Sequence, residues 1–154
     1  MNVNIRNAEK KDMPQVLELI KELAVFEKEP DAVEVTAAHL EAEGFDNNLF
    51  TCFVAETETE IVGMALVYFR FSTWKGRTVH LEDLIVKQEY RSSGIGKLLY
   101  NTVISYAKQQ GVKRVEWVVL DWNQNAIDFY EKSGATLLKN WYLVQLGEEE
   151  IKKY

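Results

Sequence analysis

The sequence predicts an α/β fold, a mixed central sheet flanked by helices, as a single domain over residues 1–154. Three observations carry this. The apolar run Leu84-Ile85-Val86 leads through a short glycine-bearing turn into a strongly periodic helix. Two runs of strand composition, Phe50–Glu56 and Ile61–Phe71, flank the polar turn Thr57–Glu60. Strand-like and helix-like periodicities alternate along the chain, with no linker, repeat or low-complexity segment to divide it.

Taken in order, Val3–Arg6 reads as a short strand. A helix follows from about Asp12, with Val16, Leu17, Ile20, Leu23 and Ala24 as its apolar stripe and Pro14 in the permissive first turn. Pro30-Asp31 breaks it, and Thr36 caps a second short helix ending near Gly44. The paired strands come next, then the turn Ser72-Thr73-Trp74-Lys75-Gly76 and a third strand, Arg77–Val86. The helix after the glycine turn is marked by Ile95, Leu98, Leu99, Thr102, Val103, Tyr106 and Ala107, and Gly111 stops it. Arg114–Leu120 reads as a strand, Asn123–Ser133 as a helix closed by Gly134, and Thr136–Leu146 as one or two final strands around Asn140. The order is β-α-α-β-β-β-α-β-α-β.

The turn Tyr90-Arg91-Ser92-Ser93-Gly94-Ile95-Gly96-Lys97 is the first chemical signal. A helix N-terminus presents unpaired backbone N–H groups and partial positive charge, and Gly94 and Gly96 remove the side chains that would keep a phosphate away. Two common phosphate loops do not fit. A Walker A loop needs Gly where Arg91 stands and Ser or Thr where Leu98 stands, and a dinucleotide fingerprint needs a third glycine where Leu99 stands.

Composition narrows the classes. Hydrophobic residues make up 47% of the chain, a globular composition. No apolar stretch approaches the roughly 20 residues of a membrane helix, so no membrane partner is expected. The N-terminus lacks a signal-peptide layout, and the single Cys52 forms no internal disulfide, which together predict a cytoplasmic location. With 24 acidic and 18 basic residues the net charge is −6, which opposes a nucleic-acid partner and favours cationic small molecules. No ligand cluster suggests a metal.

Arg-x-x-Gly-x-Gly after a strand resembles the acetyl-CoA loop of the GCN5-related N-acetyltransferases. Asn123 followed by Phe129-Tyr130-x-x-x-Gly134-Ala135 resembles the other motif of that family, and the element order is similar along essentially the whole chain. Ser72-Thr73-Trp74-Lys75-Gly76-Arg77-Thr78 with Leu81-Glu82-Asp83 resembles the diamine (spermidine/spermine) acetyltransferases, most closely their thialysine Nε-acetyltransferase branch. The polyamine-preferring branch generally has aspartate at Ser72 and arginine at Glu18, so the chain departs from it there. The resemblance implies acetyl-CoA as donor, a small-molecule primary amine as acceptor, and a homodimer.

It also implies roles. Backbone N–H groups from Ser92, Ser93, Gly94, Ile95, Gly96 and Lys97, after Arg91, would hold the diphosphate. Leu84, Ile85 and Val86 would offer main-chain partners to the pantetheine arm, with Asn123 and Ala126 beside it. Tyr130 would be the general acid, its phenol pKa of about 10 matching a leaving alkylthiolate. Glu82 would take the amine's proton, directly or through water. Simple strand alternation points Glu82 and Asp83 to opposite faces. His80, on the same face as Glu82, either tunes that carboxylate or is an ordinary strand residue. Phe26, Glu27, Trp74, Asp83, Glu116, Trp117 and Val118 are further acceptor candidates, since aromatic faces and carboxylates suit an ammonium. Each equally fits packing or solvated surface, as Trp141-Tyr142-Leu143-Val144 fits an interface strand or core. A protein-lysine acetyltransferase and a non-catalytic acetyl-CoA sensor remain as alternatives.

Overall fold

The computed structural model describes residues 2–154. They form two compact units, one ending at Val118 and the other running from Val119 to Tyr154.

In the first unit the strands are β1 (Asn4–Asn7), β2 (Thr51–Glu56), β3 (Ile61–Ser72), β4 (Gly76–Val86) and β5 (Val115–Glu116), and the helices are α1 (Met13–Phe26), α2 (Ala37–Glu41) and α3 (Ile95–Gln109). The sheet order is β1-β2-β3-β4-β5. The first four strands are antiparallel and β5 runs parallel to β4, so the sheet is mixed as expected.

Strand alternation gives the sheet two apolar faces. Phe53, Ala55, Val67, Val79 and Leu81 pack with Ile95, Leu99, Val103 and Ala107 of α3. Cys52, Val54, Met64, Leu66 and Ile85 pack with Met13, Val16 and Leu19 of α1 and Leu40 of α2. Of the stripes read from the sequence, Val16, Ile95, Leu99, Val103 and Ala107 are buried, Leu98 is exposed, and the buried Met13 and Leu19 of α1 lie outside the stripe expected there. Arg6 ties the start of α1 to the sheet, with Nη1 2.7 Å from Asp12 Oδ2 and Nε 2.8 Å from Glu56 Oε2. Asp12 is almost fully buried, and the guanidinium holds its carboxyl below the usual range.

Local chemistry sets the element ends. Thr36 Oγ1 accepts from His39 N and starts α2, which runs into a wider π turn over Ala42–Asp46. At the β3–β4 hairpin, Ser72 Oγ accepts from the N–H groups of Trp74 and Lys75, and Gly76 takes φ +77°. This is the tight turn the sequence implies.

The second unit holds α4 (Gln124–Lys132), capped by Asn123 Oδ1 accepting from Ala126 N, and the short α5 (Glu148–Ile151). Two expectations are corrected in the last third of the chain. The strand expected over Arg114–Leu120 is only Val115–Glu116, and the strands expected over Thr136–Leu146 are not formed. A strand exists only where a neighbour pairs its backbone, and alternating apolar residues do not provide that neighbour. Trp141, Tyr142, Leu143 and Val144 are exposed, so they are not core.

Candidate active site

The first unit contains a pocket of about 500 Å³ between α1, the α1–α2 connection and the sheet. Ile20, Leu23, Val33, Val35, Leu40 and Leu66 give it apolar walls, and Glu27, Glu34, Glu82 and Asp83 line it with carboxylates. Such a site suits a cation with an aliphatic body.

Glu82 and Asp83 both line this pocket, contrary to simple alternation. The cause is a β-bulge. Leu66 pairs with Asp83 and Val67 with Leu81, which leaves Glu82 as the extra residue. Val79 and Leu81 before the bulge, and Leu84 and Val86 after it, pack on the α3 side. Between them the two adjacent carboxylates reach the other side. The three-residue step from Leu81 to Leu84 is the sequence signal that breaks the period of two.

Their electrostatics differ. Glu82 is held below the usual carboxylate range by its hydrogen bond from His80, whose Nε2 is 3.2 Å from Oε2, and Tyr68 Oη donates to the same oxygen at 3.2 Å. Asp83 is pushed up to about 6 by burial, then by the charges of Glu82 and Glu27. Glu27 is also raised, first by burial and then by Glu82. Clustered carboxylates that oppose one another's ionisation are relieved by a cation.

The other predicted acceptor residues lie elsewhere. Trp74 is exposed at the hairpin tip and is not among the residues lining the pocket. Trp117 packs edge-on against Tyr100, with ring centroids 5.8 Å apart, beside the α3 core. Glu116 is engaged by two arginines, Arg70 Nη1 at 2.7 Å and Arg114 Nε at 3.1 Å. Val118 is exposed. Phe26 lies under Arg91, with the guanidinium carbon 5.2 Å from its ring centroid. Residues that sequence reasoning missed include Tyr68 and Glu34. Tyr68 sits opposite His80 across the hairpin register, a neighbour that only strand pairing reveals.

The glycine loop opens α3 as expected. Ser92 (φ +63°) and Gly94 (φ +88°) adopt left-handed backbone. A Cβ at Gly94 would meet nothing within 4 Å, and one at Gly96 would meet only Val86 Cγ2 at 3.8 Å. The space before these N–H groups is thus open. The loop is anchored from behind: Arg91 Nε donates to Val86 O at 2.9 Å, Gln88 N donates to Glu22 Oε1 at 2.9 Å, and Tyr90 Oη donates to Glu60 Oε1 at 2.9 Å. Arg91 therefore braces the loop with its side chain. Exposed Lys97 lies in the first turn of α3.

β5 pairs with only Val79 and His80 of β4. Among the described residues, the β4 edge from Leu81 through Leu84, Ile85 and Val86 has no strand partner on that side. An extended chain carrying amides fits such an edge.

In the second unit, Ala126 and Tyr130 lie one helical turn apart on α4. The Tyr130 carbonyl accepts from Ser133 Oγ at 2.6 Å and Ala135 N at 3.1 Å, and Gly134 takes φ +99° to end the helix. The Phe-Tyr-x-x-x-Gly-Ala spacing is thus a helix C-terminus built around Tyr130. Among the described residues, no group of three or more His, Cys, Asp or Glu could hold a metal ion, and no helix is long and apolar enough to cross a membrane.

The acetyltransferase (GNAT) family profile matches residues 13–135. The chain is 37% identical to a thialysine N-epsilon-acetyltransferase of Bos taurus, over 98% of this chain and 96% of that protein. It is 38% identical to an L-ornithine N5-acetyltransferase of Arabidopsis thaliana, over 60% of this chain and 41% of that one. Among solved structures, an aminoglycoside acetyltransferase from an uncultured soil metagenomic sample shares the fold at TM-score 0.74 and 22% identity, covering 93% of this chain and 97% of its own. The open helix N-terminus, the one-sided strand edge and the acidic pocket belong to a chain of the GNAT acetyltransferase family, an N-acetyltransferase.

Proposed function

We propose that this enzyme transfers an acetyl group from acetyl-CoA to the primary amine of a small cationic acceptor, a thialysine- or lysine-like amino acid or a diamine. The observation that carries this reading is the pocket that gathers Glu27, Glu34, Glu82 and Asp83 between apolar walls. Two alternatives are less well supported. A peptide acceptor would not need a small acidic pocket, and a sensor would need neither Glu82 nor Tyr130.

The open backbone around Gly94 and Gly96 fits a diphosphate, with N–H groups of Ser92, Ser93, Ile95 and Lys97 as donors. The free edge of Leu84, Ile85 and Val86 fits the pantetheine amides, and Asn123 and Ala126 are assigned to the same cofactor on their motif. Bound there, acetyl-CoA supplies the activated acyl carbonyl.

The acceptor arrives as an ammonium of pKa about 10, and making it neutral near pH 7 costs about 4 kcal/mol in bulk water. Glu82 is ionised near neutral pH, half-exposed and fixed by its two donors. It takes the ammonium's proton, directly or through water, while Asp83 and Glu27 hold the pocket's negative potential. Tyr130 keeps a proton on its phenol oxygen for the leaving group. Phe26, Trp74, Glu116, Trp117 and Val118 are left out of acceptor contact in this assignment.

The enzyme is proposed to be a cytoplasmic homodimer. The lone, buried Cys52 supports a reducing compartment, and the exposed apolar stretch Trp141–Val144 supports an interface.

A steady-state assay with acetyl-CoA against thialysine, lysine, ornithine, putrescine, spermidine and spermine tests the reading. Turnover with thialysine, lysine, ornithine or putrescine is expected to lead. Preference for spermidine would mean that the four carboxylates take a longer polycation. Silence on all six would overturn the proposal.

A further inference from the structure

Behind Glu82 stand His80, Arg70, Glu116 and Arg114, none of which lines the pocket. His80 is only 9% exposed. Its Nε2 lies 3.2 Å from Glu82 Oε2, and its Nδ1 lies 3.4 Å from Nη1 of Arg70 on β3. Arg70 is itself held by Glu116 of β5, and Arg114 Nε lies 3.1 Å from the other oxygen of Glu116 as an ion pair without a hydrogen bond. Tyr68 of β3 lies tilted against the imidazole, with centroids 5.1 Å apart. The charged and titratable groups around the ring are thus Tyr68 and Arg70 from β3, Glu82 and Asp83 from β4, and Glu116 from β5.

A guanidinium is protonated in proteins and has donors but no acceptor. The imidazole nitrogen facing it must therefore accept. That leaves the ring proton on Nε2, aimed at Glu82. The opposite tautomer would set N–H against N–H at Arg70 and a lone pair against the carboxylate at Glu82. Glu116 keeps Arg70 from turning away.

We propose that Arg70 fixes His80 as its Nε2–H tautomer, making His80 a positioning residue that holds the Glu82 carboxylate for the acceptor amine. The proposal rests on Glu82 being the carboxylate that meets that amine. It also assigns His80 a donor's role and not a relay's. To take a proton from Glu82, the ring would have to release or carry one at Nδ1, which Arg70 covers. The proton therefore leaves Glu82 towards solvent, to which that side chain is half-exposed.

The chain has two histidines, His39 and His80, so a ¹⁵N spectrum of ring-labelled protein resolves the tautomer. His80→Gln assigns the signal by its loss. In the neutral ring, the expected spectrum shows the proton on Nε2 with Nδ1 accepting. In Arg70→Leu that preference should disappear. In kcat/KM profiles against the preferred amine, His80→Phe should move the acid limb to higher pH and lower the rate about tenfold near neutrality. His80→Gln, which keeps an N–H donor, should restore the limb.

A proton on Nδ1 in the unaltered protein would overturn the inference. So would identical pH profiles for the unaltered protein and His80→Phe. Because the spectrum needs no turnover, the two readings fail separately. Amine acetylation with the Nδ1 tautomer sinks the inference alone, and the Nε2 tautomer without acetylation of any amine sinks the functional reading.

Discussion

Burial and two neighbouring carboxylates push Asp83 up to about 6, against an ordinary value of 3.8. A raised acid binds more protons folded than unfolded between those values, so its stabilising contribution is present below about 3.8 and is lost as pH rises through about 6. Asp83→Asn should therefore gain stability over the unaltered chain as pH goes from about 4 to about 7, by at most about 3 kcal/mol. Denaturant midpoints at the two pH values measure this, and parallel curves would refute it. The same variant should weaken acceptor binding, since the pocket loses charge. Tyr130→Phe tests the other assigned group. Turnover should fall by about a hundredfold or more with the affinity for acetyl-CoA nearly kept, measured as kcat against a binding titration.

At the scale of elements, the bulge in β4 and the loop before α3 do the positioning. The bulge turns one exposed and one partly buried carboxylate into the same pocket, which an unbroken strand cannot do. The loop depends on left-handed backbone at Gly94, where an added Cβ clashes with nothing. Gly94→Ala should therefore cost only about 1 kcal/mol of stability through backbone strain. Acetyl-CoA KM should rise about tenfold or more if the N–H cradle is distorted, with the amine KM little changed. A cost in stability alone, with acetyl-CoA KM intact, would remove the loop from cofactor binding. α1 takes part in both regions, with Ile20 and Leu23 in the pocket, Glu27 just past its C-terminus, and Glu22 accepting from Gln88 at the loop's entry.

At the scale of the molecule, a net charge of −6 and an acidic pocket suit a cationic acceptor. Trp141, Tyr142, Leu143 and Val144 form a run of exposed apolar side chains in the second unit. Sedimentation at micromolar concentration should give about twice the chain mass of 17.8 kDa. Tyr142→Glu with Val144→Glu should move that value towards one chain. A monomer in the unaltered protein would refute the homodimer.

The amino-acid order alone determined the mixed α/β architecture through β4 and α3, the glycine loop, the Thr36 cap and the helix end at Gly134, because each is a local pattern of spacing and turn chemistry. Most of the apolar stripe of α3 was legible for the same reason, whereas the buried Met13 and Leu19 of α1 lie outside the stripe read there. Tertiary structure decided the rest. Pairing across the β3–β4 hairpin created the bulge that brings Asp83 beside Glu82, and it brought Tyr68 and Arg70 against His80. Pairing also gave Glu116 to two arginines and cut β5 to two residues. Strand propensity over Thr136–Leu146 did not become a strand, because backbone hydrogen bonds need a neighbour that a local pattern cannot supply.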